Sequence, residues 1–100
     1  MVISQLRIYT INRGMMPAWL ECYKNELLPM MKAHGMRIDA AWATSAGTEF
    51  IWVRTYNDNE DLAAIEASFY GSPEWLAARE HVASYIAKTE VRLMQPLEGA

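Results

Sequence analysis

A chain of 100 residues has room for one core, and the expected unit is a single domain over residues 1–100. A hydrophobic share of 52%, set against 21% charged residues, excludes a disordered chain, and a net charge of −3 with its signs scattered excludes nucleic acid and anionic membrane as partners. Cys22 stands alone, so no intrachain disulfide is possible, no apolar run nears the ~20 residues of a bilayer span, and the expected setting is the reducing cytoplasm.

Residues 3–11 alternate, with Leu6, Ile8 and Thr10 on one side and Arg7, Tyr9 and Ile11 on the other, which is the period of a strand. After the break at Asn12-Arg13-Gly14, Pro17 suits the first turn of a helix expected over 15–34. Its apolar positions Met16, Trp19, Tyr23, Leu27, Met30 and Met31 recur at threes and fours, and Cys22 reads as a packed thiol among them. Pro29 predicts a bend inside this helix, and Gly35 its left-handed terminus. Residues 36–45 and 49–56 read as a hairpin around Ala46-Gly47, with Asp39 opposite Arg54, Ala41 opposite Trp52, and Ala40 and Trp42 opposite Val53 and Ile51. Asp58 and Asp61 open a helix expected over 58–70, Gly71 interrupts it, and Ser72-Pro73 restart it over 73–87 with Trp75, Val82 and Ile86 along the stripe. A last strand is expected over 89–97, marked at its end by Pro96.

The order β-α-β-β-α-β is that of an α+β, ferredoxin-like domain: a four-stranded antiparallel sheet with its helices on one face. The uncovered face should then be polar, yet both sets of alternating residues are rich in apolar side chains. A homodimer packed sheet face to sheet face resolves this, burying both uncovered faces in a shared barrel-like core.

Arg7, Tyr9, Trp52, Arg54, Tyr56 and Arg92 share one sheet face if the strands pair as the topology suggests. Three guanidinium groups among aromatic rings would make an anion-accepting pocket beneath the helices, with Arg7, Tyr9, Trp52 and Arg92 as ligand contacts. The same residues also admit a purely structural reading, in which Arg54 pairs with Asp39, Arg92 pairs with Glu90, and the rings are core. His34 precedes the helix-ending Gly35 and suits the terminal carbonyls of its own helix. His81, with Tyr56 and Arg54, completes the candidate catalytic set. No phosphate loop, glycine-framed serine or Cys/His ligand spacing is present, so no cofactor and no metal are expected.

Taken in order, Gln5-Leu6-Arg7-Ile8-Tyr9-Thr10, Glu26-Leu27-Leu28-Pro29, His34-Gly35, Trp42, Trp52-Val53-Arg54-Thr55-Tyr56 and Ser72-Pro73-Glu74-Trp75 resemble the NIPSNAP family from about residue 3 to 97. The resemblance implies a dimeric α/β-barrel and a biochemical role that the family leaves undefined. The wider group holds cofactor-independent monooxygenases and haem-degrading enzymes whose ligand sits between sheet and helices. The first-strand asparagine of the haem degraders has no counterpart here, where Arg7 and Tyr9 fill that stretch. The expected function is therefore the binding of a small flat anionic or aromatic molecule between sheet and helices. A cofactor-independent monooxygenase or isomerase, and a non-catalytic scaffold, are the alternatives.

Overall fold

The computed structural model describes residues 2–99. Its sheet is built from β1 (Ile3–Ile11), β2 (Ile38–Ala43), β3 (Glu49–Tyr56) and β4 (Ile86–Met94), all antiparallel to their neighbours in the order β2-β3-β1-β4. Alternation separates two environments along each strand. On β1, Gln5, Tyr9 and Ile11 are buried while Leu6, Ile8 and Thr10 stay partly exposed on the other side. On β3, Phe50, Trp52, Arg54 and Tyr56 are buried on the face shared with Tyr9.

The hairpin keeps the expected register from Ala40 opposite Val53 to Ala43 opposite Phe50. It departs at Asp39. A bulge between Ile38 and Ala40 sets Ile38 opposite Arg54, and Asp39 turns instead to the Thr55 hydroxyl, which donates to its carboxylate, and to Arg37 at 3.7 Å. The expected Asp39–Arg54 pair does not form.

Residues 16–33 are helical in three parts: α1 (Met16–Cys22), a π-helical turn (Tyr23–Leu27) and α2 (Leu28–Ala33). The wide turn lies immediately ahead of Pro29, whose ring would press on the carbonyl four residues back in an ordinary α-helical turn. Widening the turn gives the ring room, as the bond from the Leu28 N–H to the Tyr23 carbonyl five residues earlier shows. A π turn thus stands where the sequence predicts a bend. At the far end Gly35 has φ +79°, its N–H bonds to the Lys32 carbonyl at 3.1 Å, and the Met36 N–H reaches the Met31 carbonyl at 3.1 Å. These two bonds satisfy carbonyls that the helix end leaves open.

The second helical region divides at Gly71 into α3 (Leu62–Tyr70) and α4 (Pro73–Ala83). Asp61, rather than Asp58, caps α3 by accepting from the Ala64 N–H at 3.0 Å, and Ser72 caps α4 by accepting from the Trp75 N–H at 3.2 Å. A Cβ at position 71 would lie 2.9 Å from the Ala67 carbonyl oxygen, so the corner between the helices needs glycine. α4 stops earlier than expected because the Ser84 hydroxyl donates to the His81 carbonyl at 2.6 Å and closes the last turn. Two residues later β4 begins, and Ile86, expected on the helix stripe, pairs with Ile11 in the sheet. The Asn12 side chain donates to the Ser84 carbonyl at 2.9 Å and fastens this short link to the end of β1.

Trp19, Met31, Trp52 and Phe69 are fully buried and anchor the core. Rings meet edge-on through it, with Trp19 5.5 Å from Phe50 and 5.9 Å from Tyr9, and Tyr9 5.5 Å from Trp52. Such pairs add about 0.5–1.5 kcal/mol each beyond area burial. The opposite face of the sheet carries Trp42, Ile51, Ile8 and Glu90 in one row and Ala40, Val53, Leu6 and Arg92 in the next. Trp42 is 55% exposed there. No helix among the described residues is long and apolar enough to cross a membrane.

Candidate functional site: a cleft of arginines and rings

Between the buried sheet face and α3 and α4 lies a cleft of about 550 Å³. Arg7, Tyr9, Arg54 and Thr89 line it from the sheet, and Phe69, Tyr70, Trp75 and Val82 line it from the helices. The exposed side chains of Arg79 and Glu80 stand at its rim. Alternation on β1 and β3 brings both strand arginines to one face, because Gln5 pairs with Arg54 and Arg7 with Trp52 across the ladder.

Arg54 is 2% exposed. Its guanidinium carbon lies 4.7 Å from the centre of the Trp52 ring and 5.7 Å from that of Tyr70, so the cation is held between two aromatic faces. Burying a guanidinium demands partners. The acid that answers it is Glu66 of α3, with Oε2 3.5 Å from Arg54 Nη1; the contact is an ion pair without hydrogen-bond direction, and Arg54 Nε and Nη1 have no hydrogen-bond partner among the described residues.

Arg7 also lies against Trp52, 5.5 Å from that ring and 5.8 Å from Tyr9. It donates from Nη1 to Gln5 Oε1 at 3.1 Å and from Nε to the Tyr9 hydroxyl at 3.3 Å. Gln5 in turn donates to Glu66 at 3.5 Å, which links the two arginines through one amide and one carboxylate. Burial works against the charge on Arg7, but Tyr9, Tyr70 and Glu66 outweigh it and raise its pKa, so the group stays cationic. Half-buried Glu66 thus acts on both guanidinium groups, pairing with Arg54 and raising Arg7.

Not all of the expected set meets in the cleft. Arg92 pairs with Leu6, which places it on the opposite sheet face, where it lies 59% exposed and 4.0 Å from Glu90. Tyr56 shares the buried face but does not line the cleft; its hydroxyl has no hydrogen-bond partner among the described residues, and burial raises its pKa against the lowering influence of Arg54. That keeps Tyr56 a protonated phenol and a poor proton donor. His81 is also outside: its Nε2 lies 3.5 Å from Glu26 and 3.5 Å from the Tyr85 hydroxyl, in a separate groove. His34 does not cap its own helix but ties it to the other two, with Nδ1 2.9 Å from the Ser68 hydroxyl and Nε2 3.9 Å from Glu74. Sequence reasoning missed Tyr70, Trp75 and Glu66; the aromatic i, i+5 pair on either side of Gly71 was the available signal for the first two.

The element order, the β2-β3-β1-β4 sheet and a ligand-sized cleft under α3 and α4 define an α+β protein of the ferredoxin-like fold. Residues 4–99 match the NIPSNAP family model, and the chain belongs to that family. Among solved structures it is similar to a NIPSNAP family protein from Agrobacterium tumefaciens (TM-score 0.90, 20% identity, 100% of this chain and 97% of that one covered). An uncharacterized NIPSNAP domain protein from Burkholderia xenovorans gives a TM-score of 0.87 at 23% identity, covering 98% of this chain and 97% of that one. A putative antibiotic biosynthesis monooxygenase from Bordetella bronchiseptica is more distant, at TM-score 0.72 and 15% identity over 96% and 97% of the two chains. At these identities the structures speak to the fold. No curated protein matches the chain.

Proposed function

We propose that this NIPSNAP-family chain binds a small planar anion, such as an aromatic carboxylate or phenolate, in the cleft between its sheet and α3–α4. The observation that carries this reading is Arg54: a buried cation between two rings, with N–H groups lacking a hydrogen-bond partner among the described residues, at a cleft large enough for a small ligand. A carboxylate would accept from Arg54 and Arg7 while Tyr70 and Trp75, 5.5 Å apart and edge-on, contact the ring of the ligand. Binding is better supported than turnover. A cofactor-free oxygenation needs a base to form the substrate carbanion, and the imidazole expected to provide one, His81, faces the other groove.

The chain is further proposed to work as a homodimer through the open sheet face, whose Leu6, Ile8, Ile51, Val53 and Trp42 form an apolar field beside the charged edge residues Lys88, Glu90 and Arg92. Native mass spectrometry tests the pairing, with a dimer expected. Titration with salicylate, read by Trp52-dependent fluorescence and calorimetry, tests the cleft. Saturable binding that benzyl alcohol fails to reproduce, and that Arg54→Met removes in a folded protein, is the expected result; equal response to the alcohol, or survival in the variant, would sink the reading.

A further inference from the structure

A second convergence lies in a groove that shares no lining residue with the cleft. Cys22 ends α1, Glu26 sits in the π turn one turn later, and His81 reaches over from α4. The thiol sulfur, a Glu26 carboxylate oxygen and a His81 ring nitrogen all lie within 4.8 Å of one another, with His81 Nε2 3.5 Å from Glu26 Oε2. A tetrahedral zinc ion with bonds of about 2.0–2.3 Å spaces its ligand atoms by roughly 3.3–3.6 Å. The imidazole–carboxylate edge already has that length. Closing the other two takes up to about 1.5 Å of movement, and Glu26 and His81 are half-exposed side chains free to make it. Cys22, by contrast, is buried in its helix and fixes one corner.

We propose that Cys22, Glu26 and His81 bind a divalent transition-metal ion of the zinc class, one per chain, with a fourth position open towards Tyr85 and solvent. The donor set selects the metal. Thiolate and imidazole favour zinc and cobalt over magnesium and calcium, which prefer oxygen cages. The spacing Cys22-x3-Glu26 alone is unremarked in the sequence, and the third donor stands 55 residues on, so the sequence reading that expects no metal has no means of seeing the cluster.

Binding displaces the Cys22 proton to solvent as the sulfur–metal bond forms. The metal therefore competes with the proton for this sulfur. Glu21, Asn25 and Tyr85 line the same groove.

The test uses tag-free, chelator-stripped protein titrated with Co²⁺ and then with Zn²⁺. Expected are one Co²⁺ per chain, a near-ultraviolet thiolate-to-cobalt band with tetrahedral visible absorption, and displacement of both by Zn²⁺. Cys22→Ser should abolish the thiolate band, and His81→Gln should weaken binding by about tenfold or more. Glu21→Gln, in the same groove, should leave affinity within about twofold of the parent. Saturation without a thiolate band overturns the proposal, as does a band indifferent to His81→Gln. Because His81 is half-exposed, its variant keeps the test open even if Cys22→Ser does not fold.

Discussion

Arg54 and Arg92 occupy the two strands that flank β1, and their ladder partners on β1 are adjacent residues: Gln5 for Arg54 and Leu6 for Arg92. That single step of register sends them to opposite faces. Arg54 is sealed between Trp52 and Tyr70 and answered by an acid from α3, whereas Arg92 stands in solvent beside Glu90 of its own strand. The same side chain is a buried recognition element in one place and a rim charge in the other. Which it becomes is decided by the parity of pairing between strands, and alternation within either strand is silent on that.

The sharpest way to break the comparison is through the ring that both cleft arginines share. Trp52→Ala removes a fully buried indole and the surface on which Arg7 and Arg54 lie, and should cost about 3–5 kcal/mol in urea unfolding. Arg54→Ala comes next. It strands Glu66, but that carboxylate is 24% exposed and can be rehydrated, so the loss should be about 2–3 kcal/mol. A value near zero would mean that the buried guanidinium is not the keystone of this face.

Alkaline titration probes the same packed side of the molecule with a smaller effect. Burial pushes Cys22 up to about 11 and Tyr23 up to about 12, and raises Tyr56 as well. An unfolded chain releases these protons from about pH 8.5 for the thiol and about pH 10 for the phenols. Above those values the unfolded state holds fewer protons than the folded one, so stability is complete below about pH 8.5 and falls as pH rises towards 12. Tyr23→Phe should flatten the upper part of that decline in pH-dependent unfolding curves. Smallest of all, Arg92→Ala should change unfolding free energy by no more than about 0.5 kcal/mol, its ion pair being solvent-exposed. An Arg92 effect as large as that of Arg54 would erase the distinction between the faces.

The element order and the ferredoxin-like fold could be read from alternation, caps and glycines, because those signals are local. The hairpin register from Ala40 to Ala43 was legible for the same reason. What was not legible depends on distance in the chain. The Asp39 bulge replaces the expected partner of Arg54 with Glu66, twelve residues beyond it on another element. Ile86 fits a helix stripe and a strand equally well until Ser84 closes α4. His81, expected beside Arg54 and Tyr56, instead has its Nε2 3.5 Å from Glu26 and lies within 4.8 Å of the Cys22 sulfur, partners that stand far from it in the chain.

The π turn ahead of Pro29 also explains a spacing. Trp19, Tyr23, Leu27 and Met31 recur every four residues and all are buried. On an unbroken α-helix each step of four overshoots a full turn by about 40°, so the last of these residues would point about 120° away from the first. One widened turn absorbs an extra residue, about 100° of rotation, and returns the four side chains to a nearly straight line along the sheet. A buried period of four, rather than 3.6, is therefore a written instruction for where a helix must loosen. Deleting one residue between Tyr23 and Leu27 would let the helix close into regular turns, with Met31 still in line but Pro29 again pressed against the carbonyl ahead of it.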